Sequence, residues 1–288
     1  MNISQALKNC YNLLSGVSKT YKLDTEVLLA HVLKKKSRLD LFLNTEEELN
    51  KEEREKFKDF VNQRISKKPV SKIINQKSFW NFDLDISKKV LIPRPETEVL
   101  IEMVTKEINK KKKLKFLDIG CGSGCISISL LECYKKSTGI GIDISQDAIL
   151  NTKINLNNLN LINRIKLLKK SIFTYKTDDK FDLIISNPPY LKLSDYINLD
   201  PGIKKFEPKE ALIGDNKDGL RFYREIIKKF RNNIKLNGYL AFEIGDNQFL
   251  QIKKLLISNG FIIVSKYKLT NNQIRCLLAK KVKNYTLQ

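Results

Sequence analysis

The first 69 residues carry hydrophobic positions at helical spacing. A first helix is marked by Ile3, Leu7, Tyr11 and Leu14, and Asn2 or Ser4 is its expected N-cap. We expect Asp24 to cap a second helix. Thr45 is expected to open a third helix that ends before Pro69, with acidic residues in its first turn and basic residues in its last. The pattern predicts a small all-α bundle over residues 1–69.

Residues 70–92 change to an alternation of apolar and polar positions. The segments KIINQKSFW and FDLDIS are typical of two short strands, and Asn81 stands near the turn between them. A β-hairpin linker is therefore predicted over residues 70–92. Pro95 then suits the first turn of a helix, because its missing N–H group leaves no hydrogen bond unmade there.

From Leu114 onward, short apolar segments alternate with amphipathic ones. The segments that predict strands are KFLDIG, TGIGIDIS, RIKLLKK, FDLIIS, GYLAFEIG, FIIVSKYKL and IRCLLAKK, and helical patterns separate most of them. This alternation predicts a doubly wound, mainly parallel α/β sheet within a domain spanning residues 93–288. We expect the last two strands to pair as a hairpin at one edge of the sheet.

The formal net charge of +21 changes this picture little. Residues 1–92 carry a net charge of +6 and residues 93–288 carry +15, so the excess follows the length of each part. Lysine outnumbers arginine 44 to 9, and arginine is the better phosphate ligand. We interpret the charge mainly as a solvated lysine surface, and a dedicated nucleic-acid patch stays open as the alternative.

Cysteine usage and hydropathy narrow the class of protein. The five cysteines form no paired CxxC set and His31 is the single histidine, so we expect no metal site. No apolar run approaches the roughly 18 to 20 residues of a membrane span, and the first ten residues do not resemble a signal peptide. The expected location is the cytoplasm, with no membrane partner.

A glycine-rich turn follows the first strand of the predicted sheet. It reads Asp118-Ile119-Gly120-Cys121-Gly122-Ser123-Gly124, which is GxGxG and not the dinucleotide spacing GxGxxG. Such a turn lets the backbone approach a ligand closely, and the N–H groups of the following helix suit a carboxylate. Asp143 ends the second strand, where an acid can accept both hydroxyls of a ribose. S-adenosylmethionine fits both features; a helix-capping turn and a dinucleotide site are the alternatives.

A second motif, Ser186-Asn187-Pro188-Pro189-Tyr190, directly follows the strand FDLII. An amide nitrogen is a poor nucleophile, so acceptors on its N–H bonds are needed to orient it and to stabilise the developing charge. The Asn187 side-chain oxygen and the Pro188 carbonyl are the candidate acceptors, and Tyr190 is a candidate flat wall. The motif predicts methylation of a planar nitrogen, in an amide or in adenine. A purely structural turn is the alternative.

With these two motifs, the chain resembles the HemK-type release-factor glutamine methyltransferases along essentially its whole length. The segments that carry the resemblance are KSFW at 77–80, LIPRPETE at 91–98, DIGCGSG at 118–124, SNPPY at 186–190, KFEP at 205–208 and EIG at 243–245. The resemblance implies a Rossmann-like, seven-stranded class I methyltransferase domain. It also implies methylation of the side-chain nitrogen N5 of the glutamine in the Gly-Gly-Gln loop of class I peptide-chain release factors.

The resemblance also assigns roles to residues. It implies that S-adenosylmethionine is held by Asp118, Gly120, Cys121, Gly122, Ser123, Gly124, Asp143, Ile172 and Asn187. It implies that the substrate is held by Asn187, Pro188, Pro189, Tyr190, Arg94, Glu96, Glu98, Phe206 and Glu207, with Asn187, Pro188 and Tyr190 as the catalytic residues. The N-terminal bundle is then a substrate-recognition domain for release factors in the bacterial cytoplasm, and no stable nucleic-acid binding is expected.

One segment departs from the family pattern. Relatives often carry an acid followed by an aromatic residue after the third strand, near the adenine, whereas this chain has Ser171-Ile172 and then Phe173. We expect Phe173 to belong to the core, with an adenine contact as the alternative.

Three other functions stay open on the sequence. An N6-adenine methyltransferase of DNA or RNA and a ribosomal-protein glutamine methyltransferase use the same chemistry, and a flipped base presents a similar planar amino group. A cofactor-binding scaffold without catalysis is the third, although intact Asn187 and Tyr190 argue against it.

Overall fold

The computed structural model describes residues 1–283, which form two compact units. The first unit comprises Met1–Gln76 and Asp200–Phe206; the second comprises Lys77–Leu199 and the chain from Glu207 onward. Helices of the first unit are α1 (Ile3–Leu14), α2 (Tyr21–Val32), α3 (Asp40–Leu43), α4 (Lys51–Ile65), α5 (Val70–Ile73) and, after a long excursion of the chain, α10 (Pro201–Phe206). Their core is apolar and includes Ile3, Leu14, Leu28, Leu29 and Phe57.

The helix starts in this unit correct two predictions. Asn2 does cap α1, with a reciprocal bond to Gln5. The second helix, however, begins at Tyr21, and Asp24 lies in its first turn, where its carboxylate accepts from the Thr20 hydroxyl and from Arg64. The third begins at Lys51, because Asn50 and Glu53 form a capping box. Residues 45–48 instead pair with the N-terminal residues: Ile3 N–H donates to the Glu47 carbonyl and Ser4 N–H to that of Thr45.

The predicted hairpin is formed by β1 (Gln76–Phe79) and β2 (Phe82–Asp85). Residues 70–73 are helical, residues 74 and 75 form a turn, and β1 begins only at Gln76, so the expectation of a strand across KIINQKSFW is wrong in its first four residues, 72–75. Pro69 is the N-cap residue of this helix.

The second unit contains the α/β elements in the predicted alternation. In chain order they are α6 (Pro95–Glu107), β3 (Lys115–Ile119), α7 (Cys125–Cys133), β4 (Thr138–Asp143), α8 (Gln146–Asn158), β5 (Ile165–Lys169), β6 (Phe181–Ser186), β7 (Leu191–Lys192), α9 (Leu193–Ile197), β8 (Ile213–Asp215), α11 (Arg221–Phe230), β9 (Ile234–Glu243), α12 (Phe249–Ile257), β10 (Phe261–Lys268) and β11 (Ile274–Lys281).

Seven of these strands form one sheet in the order β10-β11-β9-β6-β3-β4-β5. The strands β5, β4, β3, β6 and β9 are parallel, and the β10–β11 hairpin adds two antiparallel strands at one edge. The seven-stranded α/β prediction is confirmed. Successive residues of β3 face opposite sides of the sheet: Phe116 packs on the side covered by α6, α7 and α8, and Leu117 on the side covered by α11 and α12.

This topology brings four strand ends to one edge of the sheet. Because β9, β6, β3 and β4 are adjacent and parallel, their carboxyl ends lie side by side in that order. The residues at these ends are Glu243, Ser186, Ile119 and Asp143. Carboxyl ends of parallel strands are where open α/β sheets bind ligands.

Candidate active site

The turn after β3 forms an open cradle of backbone. Gly120, Gly122 and Gly124 have φ angles of 76°, 56° and 84°, a region that other residues rarely adopt. A side chain at Gly124 would also meet Thr152 Cγ2 at 2.9 Å. The side chains of Cys121 and Ser123 are buried, whereas Gly120 is exposed. The turn therefore presents backbone groups, and not side chains, to whatever it binds.

Asp143 lies beside this turn at the end of β4. Its Oδ2 accepts from Gly122 N–H at 3.0 Å, and its Oδ1 accepts from Ser145 N–H at 2.9 Å. Burial raises the pKa of Asp143, and these backbone donors oppose the rise. Each carboxylate oxygen keeps acceptor capacity for a further donor. The next residue, Ile144, has a side chain that is 63% exposed, which places an apolar surface directly beside the carboxylate.

Asp118 is fully buried beneath the turn. Its Oδ2 accepts from the Ser127 hydroxyl at 2.6 Å, and its Oδ1 has no hydrogen-bond partner among residues 1–283. Burial raises the pKa of Asp118 to about 7. A buried acceptor without a donor is costly, and such an atom suits a site that a ligand's donor completes.

Helix α8 supports the cradle through buried polar side chains that the sequence reading passed over. The Thr152 hydroxyl donates to the Gly122 carbonyl at 3.0 Å, and Asn155 Nδ2 donates to the Ser123 carbonyl and to the Asp85 carbonyl, each at 2.9 Å. Asn155 Oδ1 also accepts from Asp85 N–H at 2.7 Å. One amide therefore joins the cradle to the hairpin. The signal in the sequence was the spacing of Asn151 and Asn155, which are four residues apart and therefore lie on one face of the helix; both are buried.

Replacing Asn155 by alanine is expected to lower the free energy of unfolding by about 3 kcal/mol, because the Ser123 carbonyl and the Asp85 N–H lose their bonds to Asn155, while the Asp85 carbonyl keeps only the bond from Asn151. Urea denaturation measures the change. The matched control is Asn157→Ala on the same helix, where the side chain is exposed and the expected change is within about 0.5 kcal/mol. Equal effects of the two substitutions would contradict the bridging role.

The loop after β6 carries Asn187 next to the cradle. The Ser186 hydroxyl donates to the Ile119 carbonyl at 2.7 Å and so ties the ends of β6 and β3 together. Asn187 Nδ2 donates to the Thr97 hydroxyl oxygen at 3.3 Å, and no donor among residues 1–283 reaches its Oδ1. The side-chain oxygen of Asn187 is therefore available to a ligand.

Thr97 connects Asn187 to a buried carboxylate. The Thr97 hydroxyl donates to Glu243 Oε2 at 2.6 Å, and both side chains are buried. Burial raises the pKa of Glu243 to about 7, against the lowering influence of Thr97 and Arg275. Neither residue was singled out from the sequence, although both stand within the segments LIPRPETE and EIG that carried the resemblance.

Tyr190 is fixed at both its ring and its backbone. The Arg275 guanidinium lies 5.7 Å from the ring centroid, and burial raises the pKa of the phenol well above its usual range. Gln248 Nε2 donates to the Tyr190 carbonyl at 2.9 Å, while Gln248 Oε1 accepts from Gly245 N–H. The phenol is thus neutral at physiological pH, and Arg275 and Gln248 hold the ring and the carbonyl of Tyr190 in place.

Comparison with known proteins identifies the family. The model of the PrmC N-terminal domain matches residues 5–74, and that of the methyltransferase small domain matches residues 95–198. The release factor glutamine methyltransferase of Clostridium acetobutylicum is 35% identical over 97% of this chain and 98% of its own length. That of Clostridium botulinum is 38% identical over 91% of this chain and 93% of its own. The chain belongs to the release factor glutamine methyltransferase family.

A solved structure agrees with this fold. A methyltransferase from Pyrococcus furiosus superposes with a TM-score of 0.50 at 18% identity, over 69% of this chain and 90% of that one. Within residues 1–283 no three His, Cys, Asp or Glu side chains are grouped as metal ligands. No helix in that range is long and apolar enough to cross a membrane.

Predicted substrate residues in the segments LIPRPETE and KFEP bind to other parts of the protein. Arg94 and Glu207 pair with each other: the guanidinium contacts Glu207 Oε1 at 2.6 Å, and Glu207 Oε2 accepts from Ile92 N–H. The Glu207 side chain is only 1% exposed, so Arg94 is the accessible member of the pair. Glu98 accepts from Trp80 N–H at 3.0 Å and so holds the hairpin. Phe206 belongs to the first unit, at the end of α10.

The segment after β5 differs from expectation. Ile172 is buried, but Phe173 is 36% exposed, so its expected place in the core is wrong. The two residues lie in a turn, and Ile172 is the one that packs in the core. The Phe173 ring instead lies under the Arg221 guanidinium, 4.3 Å from its centroid.

Proposed function

We propose that this protein methylates the N5 nitrogen of the glutamine in the Gly-Gly-Gln loop of class I release factors, with S-adenosylmethionine as the methyl donor. The observation that carries the proposal is the Asn187 amide. Asn187 directly follows β6, which pairs with the strand that leads into the cradle; its nitrogen donates to Thr97, and its oxygen is available. The relationship to release factor glutamine methyltransferases supports the choice of a glutamine amide over adenine.

The residues of the cradle fit the cofactor. Gly120 to Gly124, including Cys121 and Ser123, offer backbone groups to the amino-acid end, and a ligand ammonium would give Asp118 Oδ1 the partner that it lacks. Asp143 would accept the ribose hydroxyls, with Ile144 and Ile172 as apolar neighbours for the adenine. The bound cofactor supplies an electrophilic methyl group on a sulfonium.

The protein's own contribution to the reaction is orientation and charge stabilisation. Asn187 Oδ1 and the Pro188 carbonyl would each accept one N–H of the glutamine amide, which fixes the nitrogen and stabilises the positive charge that develops on it. Pro189 stiffens the turn, and the Tyr190 ring covers the planar group. The surplus proton then leaves to water, so no strong general base is required.

The remaining predicted residues define the proposed substrate path and domain roles. Arg94, Glu96, Glu98, Phe206 and Glu207 would line or support the entrance for the release-factor loop. Residues 1–69 would recognise the release factor, 70–92 would act as the hairpin linker and 93–288 would be the catalytic domain. The match of residues 5–74 to the PrmC N-terminal domain supports this division. The proposed setting is the bacterial cytoplasm, where release factors act, with no stable nucleic-acid partner.

Transfer of labelled methyl groups tests the function. The protein is incubated with methyl-labelled S-adenosylmethionine and either a bacterial class I release factor or its variant with the loop glutamine replaced by alanine. Label is expected on the first protein and not on the second, and mass spectrometry is expected to place it on the glutamine side chain. Equal label on the variant, or label on added DNA or RNA alone, would overturn the proposal.

A further inference from the structure

Three side chains that are distant in sequence form one hydrogen-bond chain, of which Thr97 and Glu243 are buried. Glu243 at the end of β9 accepts from Thr97 in the first turn of α6, and Thr97 accepts from Asn187 after β6. Thr97 is separated from Glu243 by 146 residues and from Asn187 by 90. Their exposed fractions are 2% for Thr97 and 1% for Glu243, so water competes little for these bonds.

The direction of this chain follows from the number of hydrogens. A threonine hydroxyl has one hydrogen, and the 2.6 Å contact assigns it to the carboxylate of Glu243, which when ionised can only accept. The Thr97 oxygen is then an acceptor toward Asn187. Only the Nδ2 group of Asn187 satisfies it, and rotation of the amide would place two acceptors against each other. The ionised Glu243 therefore orients Oδ1 of Asn187 away from Thr97.

The surroundings of Glu243 allow both of its protonation states near neutral pH. Arg275 and Arg94 favour the carboxylate, whereas burial and Glu96 oppose it, so that the pKa of Glu243 rises to about 7. Tyr190, Tyr223 and Cys276 also face this group, and burial raises the pKa of each of the three, so they are neutral there. A neutral Glu243 has an O–H of its own to donate to Thr97. The Thr97 hydrogen could then turn to Asn187 Oδ1.

We propose that Thr97 and Glu243 are positioning residues that orient the Asn187 amide for catalysis, and that protonation of Glu243 releases this orientation. The inference rests on the proposed function, because it takes Asn187 Oδ1 as the acceptor for the substrate amide. Above the pKa of Glu243, the carboxylate holds Asn187 in the accepting orientation. Below it, the neutral acid lets the amide rotate, so kcat is expected to fall as the pH is lowered.

The pH profile of kcat between pH 5.5 and 8.5 tests the inference on the full-length protein with a class I release factor. The wild type is expected to lose activity by about tenfold per pH unit below the pKa of Glu243. In Glu243→Gln this acidic limb is expected to disappear, because the residue no longer titrates. Glutamine keeps the size of the side chain and its capacity to hydrogen-bond with Thr97. An acidic limb retained by Glu243→Gln would overturn the inference.

Two threonine variants separate positioning from packing. Thr97→Val keeps the shape but removes the hydroxyl, and it is expected to lower kcat about tenfold while the KM for S-adenosylmethionine stays within about twofold. Thr97→Ser keeps the hydroxyl and is expected to restore both kcat and the acidic limb. Loss of activity in Thr97→Ser equal to that in Thr97→Val would contradict positioning through the hydroxyl.

The titration of Asp118 must be distinguished from that of Glu243 in the pH profile, because the pKa of Asp118 is also raised to about 7. It lies beneath the cofactor cradle, so its titration is expected to change the KM for S-adenosylmethionine and not the Asn187 orientation. Saturating cofactor therefore removes its contribution from kcat.

An NMR measurement tests the orientation of Asn187 independently of the proposed substrate. The side-chain NH₂ signals of Asn187, assigned as those lost in Asn187→Ala, are expected to shift with pH in the wild type and to stay constant in Glu243→Gln. If this shift occurs while no release factor is methylated, the hydrogen-bond switch stands and the proposed substrate fails. If the signals do not titrate, the switch fails whatever the substrate is.

Discussion

Replacing Asn187 by alanine is expected to lower kcat for release-factor methylation by about 10²- to 10³-fold, the cost of removing one hydrogen-bonding group that stabilises developing charge. The side chain supplies the available oxygen of the site, and its nitrogen is the end of the chain through Thr97 to Glu243. The KM for S-adenosylmethionine is expected to change much less than kcat. Steady-state kinetics with labelled cofactor measure both values.

The control for Asn187 is another asparagine on the segment that follows. Asn198 is exposed and its amide donates to the Ser194 carbonyl within α9, so Asn198→Ala is expected to keep kcat within about twofold. Thermal unfolding confirms that both variants are folded. Full activity in Asn187→Ala would show that the reacting nitrogen is held elsewhere.

Replacing Gly219 by alanine is expected to destabilise the protein and to displace the turn that carries Tyr190. Gly219 has a φ angle of 73°, and a Cβ there would lie 2.1 Å from the Tyr190 carbonyl oxygen and 2.7 Å from Gln248 Nε2. Both atoms belong to the bond that fixes the Asn-Pro-Pro-Tyr turn. We expect a loss of about 3 kcal/mol in the free energy of unfolding, from backbone strain and collision together. A displaced turn is expected to lower kcat about 10²-fold.

Gly260 offers a matched control for this substitution. Its φ angle is 82°, but a Cβ there would meet nothing nearer than the Val282 carbonyl at 3.9 Å. Gly260→Ala therefore carries the left-handed strain of about 1 kcal/mol without the collision, and its kcat is expected to be unchanged. Urea denaturation and kinetics of both variants isolate the contact. Equal losses in the two would mean that the approach to Tyr190 contributes nothing.

Much of the second unit could be predicted from residues close together in the chain. Alternating segments predicted the seven-stranded sheet and its terminal hairpin, because hydrophobic periodicity reflects which face each residue buries. The glycines of the cradle and the Asn-Pro-Pro turn were also recognised from the sequence, because glycine and proline restrict or permit backbone conformations at single residues. The starts of two helices were predicted wrongly. Asp24 was expected to cap the second helix, which begins earlier, at Tyr21. Thr45 was expected to open the third predicted helix, which is capped by Asn50 instead.

The partners of the site residues depended on tertiary structure. Arg94 pairs with Glu207, and Glu98 binds the hairpin, although the resemblance to the family implied that all three hold the substrate. Phe173 is partly exposed and packs under Arg221, whereas its neighbour Ile172 is buried in the core.

The sequence by itself predicted the class of fold, which the structure confirms, and it pointed to the glycine turn and to Asn187 as candidate site residues, since each is encoded by local pattern. It did not reveal that Thr97 and Glu243 orient that asparagine. Their meeting requires β9 to lie beside β6 and α6 to begin above both, an arrangement set by strand order and register. Side chains 90 and 146 residues apart become neighbours only through such packing, which no local periodicity records.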